Sequence, residues 1–124
     1  MGKKLLLVSI IIVGLGVNIV SASDAQLSQL AIKHIKLTKK IINAYKHKNS
    51  SFAMALTKEL ESGQKKLGSQ VESRELTNLI KYLNLCVLDI KKVLKKPYSS
   101  QNVHRLSDLS GSLIEGNRYI ARAL

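Results

Sequence analysis

The chain has 124 residues, with 20 Lys and Arg against 8 Asp and Glu, a formal net charge of +12 at pH 7, one Cys, one Pro and no Trp. That length holds one domain. A lone Cys rules out an internal disulfide, and without a CxxC or a His-rich cluster neither a disulfide scaffold nor a structural zinc site can form. Aromatic residues make up only 4%, and one Pro among many Leu, Ile and Lys favours helices over a β-sandwich.

The first segment reads as an address. Lys3 and Lys4 precede an uncharged run from Leu5 to Val20, followed by Ser21, Ala22, Ser23, Asp24 and Ala25. A basic start, an apolar stretch and small residues at its exit make the layout of a secretory signal. The run is shorter than the roughly 20 apolar residues needed to cross a bilayer. Cleavage is expected after Ala22, with after Ala25 as the other choice and an uncleaved N-terminal anchor as the alternative. No Cys stands at the site for lipidation. The expected division is a signal peptide over 1–22 and one domain over 23–124, located in the periplasm or secreted. The mature charge is then +10, from 18 basic and 8 acidic residues.

Four stretches then show one apolar face each at 100° per residue. From Gln26 to Lys46, Leu27, Leu30, Ala31, His34, Ile35, Leu37, Thr38, Ile41, Ile42 and Tyr45 share a side, and Ser23 or Asp24 can cap the start. Lys48 to Ser51 breaks the pattern. A second helix, capped by a Ser, aligns Phe52, Ala53, Leu56, Leu60, Gly63 and Leu67 and is expected to stop at Gly68. A third starts at Ser69 or Ser73, has the broadest apolar face, from Leu76 to Leu94, and is closed by Pro97. A fourth runs from about Ser100 to Ala123, weakened by Gly111 and Gly116 at about 1 kcal/mol each. Three short connections imply antiparallel neighbours. The expected fold is all-α, an up-down-up-down antiparallel four-helix bundle.

His34 is the one odd residue on an apolar face. Buried there, an imidazole must be hydrogen-bonded or bound to something. It is either a core-edge His bonded to a neighbouring Ser, Thr or backbone group, or a cofactor or metal ligand at the bundle's open end. His47, at a helix end, and His104, on a polar face, read as solvated. Cys86 reads as a small buried hydrophobe, with an intermolecular disulfide as the alternative. Met54 is off its apolar sector and a poor ligand. Leu85 and Leu88 point away from the main face, as ordinary exposed residues or as part of a dimer contact, so the chain is expected to be a monomer or a weak dimer.

No acid falls on an apolar face where burial would tune it, and no GxSxG, HExxH or GxxxxGK[ST] occurs. The expectation is a protein that is not an enzyme. The second signal is charge. From Lys33 to Lys48 there are six Lys and no acid, and Lys33, Lys36, Lys39, Lys40 and Lys46 are candidate contacts for an acidic protein or an anionic membrane surface. Nucleic acid is not expected, since no aromatic stacking platform accompanies the charge. A solvated outer face of a bundle is the plain alternative.

Helix order and length, together with Ala55-Leu56-Thr57-Lys58 in the second helix and Asn117-Arg118-Tyr119-Ile120 in the last, resemble the cytochrome b562 family of periplasmic electron carriers. The resemblance implies haem held between the first and last helices. Its first slot falls at Ala31 to His34, where His34 would stand in for the family's Met. Its second falls at Ile120, which cannot ligate iron. Two outcomes follow from it: haem on His34 alone with an open sixth position and one-electron chemistry, or a bundle that has lost haem and acts by binding. Beside it stand a basic exported interaction protein, of immunity or envelope-stress type, and a membrane-surface-active secreted protein.

Overall fold

The computed structural model describes residues 22–124. The signal-peptide reading over 1–22 falls, all but Ala22, on residues outside that range. The described chain forms α1 (Asp24–Lys46), α2 (Ser50–Gln70), α3 (Arg74–Leu94) and α4 (Ser100–Ala123), with no strand among the described residues.

Each helix begins on a cap that the local sequence supplies. Ser23 accepts from the Gln26 amide while Gln26 reaches back to the Ser23 amide, a full capping box. Ser73 and Ser99 do the same one-way service for α3 and α4. For α2 the cap is Asn49 rather than a Ser. Nor does α2 stop at Gly68. It continues to Gln70, and Gly68 stays helical because Ile80 lies 3.2 Å from where its Cβ would be. A small residue there lets α3 come close.

Each helix packs on two others: α1 on α2 and α4, α3 on α2 and α4. Contacts near the start of α1 confirm the antiparallel order, since the Ala22 amide donates to Gln70 Oε1 at the end of α2 and Ser28 Oγ donates to the Ala121 carbonyl near the end of α4. Leu37, Ile41, Leu60, Leu67, Ile80, Leu83, Ile90, Leu106, Leu113 and Ile120 fill the shared core. Each such side chain contributes roughly 1.5–3 kcal/mol on burial. Phe52, expected on the apolar face of α2, is exposed instead. It lies in the first turn of α2, about 100° on the wheel from the buried Ala53.

One end of this bundle therefore carries the α1–α2 and α3–α4 connections. The other carries the α2–α3 connection and the C-terminus.

Candidate functional site: a polar core and a basic end

Two places hold residues that packing alone does not explain. The first is in the middle of the bundle. His34 sits halfway along α1, not at an open end, and is 1% exposed. Its Nδ1 lies 3.2 Å from Asn117 Oδ1 of α4. The Asn117 amide nitrogen donates to the Leu113 carbonyl at 2.9 Å, so Oδ1 is the free acceptor and Nδ1 carries the proton. Nε2 faces Gly63 of α2, and the buried Gln64 amide sits nearby without completing a hydrogen bond. Burial lowers the imidazole pKa from 6.5, the polar groups of Asn117 and Gln64 offset part of this, and Lys33 adds to the lowering while Glu59 opposes it. His34 is thus a neutral core residue whose side-chain partner, on the neighbouring α4, is distant in sequence.

In this packing His34 Nδ1 faces Asn117 Oδ1 and Nε2 faces Gly63, while Ile120, at the second slot, is fully buried in the core. Among the described residues no group of three or more His, Cys, Asp or Glu that could hold a metal ion accompanies His34. Cys86 is buried, and burial pushes its thiol pKa up, as suits a small core residue. His47 and His104 are exposed. His47 lies against the Asn43 carbonyl, and His104 is 3.9 Å from Asp108.

The second place is the end with two connections. Cutting each helix at its midpoint, residues 36–60 and 85–111 hold eleven Lys and Arg and three acids, net +8. The other half, residues 22–35, 61–84 and 112–124, holds seven and five, net +2. Helix dipoles do not account for the difference. Cations suit the C-termini of α1 and α3 at this end. Yet α2 and α4 begin here with no acid in their first turns, whereas α1 and α3 start at the far end with Asp24 and Glu75. Acids are missing where the dipole would welcome them.

Of the α1 lysines expected at a contact, Lys36, Lys39, Lys40 and Lys46 are exposed and in no ion pair among the described residues. Lys33 differs: it lies in the other half and pairs with Glu59 at 3.4 Å. The structure adds Lys48, Lys95 and Lys96, which stand at the α1–α2 and α3–α4 connections. It also adds two exposed aromatics, Phe52 and Tyr98. Lys48 takes φ = 60°, a left-handed conformation that costs a non-glycine residue about 1–2 kcal/mol. There its ammonium lies 5.2 Å over the Tyr98 ring, and Tyr98 in turn packs on the buried Tyr45 with ring centroids 5.4 Å apart. A shallow groove lined by Lys40, Asn43, Ala44, His47, Asn49 and Phe52 opens beside them.

The fold and this end define a four-helix bundle with one strongly cationic, aromatic-tipped pole. No family model, curated protein or solved structure matches the chain, so no match places it in the cytochrome b562 family.

Proposed function

We propose that this chain is an exported binding protein, not an enzyme, and that its cationic pole docks on an anionic lipid surface. The observation that carries the reading is the charge division, net +8 against net +2 between the two halves of one small bundle. Phe52 and Tyr98 at the same pole favour lipid over an acidic protein, because aromatic side chains settle at the headgroup boundary while lysines meet the phosphates.

Docking is end-on. The apolar face of α1 is spent on the core, with Leu27, Ala31, Leu37, Ile41 and Tyr45 all buried. That helix therefore has no apolar face left to insert into a membrane while the bundle is intact. No helix among the described residues is long and apolar enough to cross a membrane, and contact at the pole is peripheral.

Vesicle sedimentation tests this. The purified chain should pellet with phosphatidylglycerol-containing vesicles, not with phosphatidylcholine alone, and should be released between about 0.05 and 0.5 M salt as screening shortens to a few ångströms. At roughly 1 kcal/mol per lysine near the surface, reversing Lys40, Lys46 and Lys96 to Glu should weaken binding about 100-fold or more. Reversing Lys65 and Lys66 at the other pole should matter little. Absence of vesicle binding, or equal loss from both poles, would sink the proposal.

A further inference from the structure

The groove beside the α1–α2 connection is lined by cationic, amide and apolar side chains together. Lys40, Asn43, Ala44 and His47 recur at the three- and four-residue spacing that puts them on one face of α1 and its C-cap. Asn49 and Phe52, the cap and first turn of α2, supply the rest of the lining. Together they border a cleft of about 450 Å³, within the range of small-ligand sites. Ala44 is the buried residue among them and forms the floor.

The fold leaves donors on this lining unused. Lys40 is in no ion pair among the described residues. Asn49 Oδ1 accepts from the Phe52 amide at 3.2 Å, which leaves the Asn49 NH2 as a donor on the groove. His47 Nδ1 donates to the Asn43 carbonyl at 2.8 Å, which ties the imidazole to the end of α1. No Asp or Glu occurs from Gln26 to Lys58, so neither helix brings an acid to the lining. Beside these donors Phe52 presents a large apolar surface, 52% exposed.

Resting on the docking proposed above, we infer that this groove seats the headgroup of one anionic phospholipid. Its phosphate meets the Lys40 ammonium and the Asn49 amide, and its glycerol and first acyl carbons lie along Phe52 over Ala44. The lining selects this occupant. An inorganic anion would use the cation and leave Phe52 in water, whereas an apolar peptide face would leave Lys40 and Asn49 without acceptors. An amphipathic anion satisfies both sets of groups. Charge attraction alone spreads over the pole, but a seated headgroup binds at one per chain.

Titration of the isotope-labelled chain with dihexanoyl phosphatidylglycerol, kept below its micellar concentration, tests the site. Amide shifts should saturate at one lipid per chain and centre on residues 40–52. Phe52→Ser leaves the charge unchanged and should weaken binding about tenfold, and Lys40→Gln should weaken it about fivefold. Both positions are exposed, so the variants should keep the parent's circular dichroism. Reversing Lys95 and Lys96 to Glu, at the α3–α4 connection, should weaken vesicle sedimentation yet change the short-chain affinity by no more than about twofold. Shifts that never saturate, with vesicle binding intact, would overturn the groove and leave docking of the pole standing. Saturation without vesicle binding would support the groove and sink the docking. Inorganic phosphate or dihexanoyl phosphatidylcholine binding as tightly as the anionic lipid would overturn the inference, as would a Phe52→Ser variant that binds like the parent.

Discussion

Gly63→Ala is expected to destabilise the bundle, although alanine is the better helix former. A Cβ at Gly63 would run into His34 Nε2 and lie 3.1 and 3.2 Å from Cδ2 and Cε1 of the same ring. The ring cannot swing away cheaply, because its Nδ1 is bonded to Asn117 and the side chain is enclosed on all sides. Overpacking of this kind costs roughly 1–3 kcal/mol, against at most about 1 kcal/mol gained in helix propensity. Gly111→Ala is the matched control. It sits inside α4 with nothing within 4 Å of its missing Cβ, so the same change there should stabilise by about 0.5–1 kcal/mol. Urea denaturation of the two variants beside the parent should move the midpoint in opposite directions. A stabilising Gly63→Ala would contradict the packing of His34 against α2.

Acidification is expected to lower stability, and His34 to be a main cause. Its folded-state pKa is depressed below 6.5, first by burial. The unfolded chain therefore takes up a proton as pH falls below about 6.5 while the folded chain does not. The contribution of the neutral imidazole is fully present above that value and is lost as pH falls through the window between the two pKa values. His47 and His104 are exposed. His34→Asn keeps a donor near the Nδ1 position for Asn117 and removes the titration. The urea midpoint of the parent should fall between about pH 7.5 and pH 5, and most of that fall should vanish in His34→Asn, whatever the cost of the substitution at neutral pH. An equal fall in both proteins would contradict a buried neutral His34.

How much of this was readable in advance depended on whether a residue's role was local. The third helix was legible from Leu76 to Leu94 because one apolar face repeats without interruption between a capping Ser73 and Pro97, and the buried residues of α3 fall on that face. Helix ends were less so. Asn49 caps α2 where a Ser was expected, and Gly68 does not end α2, because contact with Ile80 overrides its preference for a terminus. His34 stood out as a polar residue on an apolar face, but its partner did not. Asn117 lies 83 residues away and reads as a break in the face of α4, as Gln64 does in α2. Only assembly of the bundle brings them together. The lysines of α1 were visible as a run. The cationic pole was not, because it is made from two connections far apart in sequence whose charges sum only once the helices stand antiparallel.

The measurement that tests the cationic pole most directly is amide chemical-shift mapping of the isotope-labelled chain with and without anionic bicelles. If the pole is the contact, shifts and line broadening should gather on residues 40–52 and 91–105, around Phe52, Lys48 and Tyr98, and fade as salt is raised. Shifts centred instead on the α2–α3 connection and the C-terminus, or spread along α1 including Lys33, would contradict end-on docking through this pole.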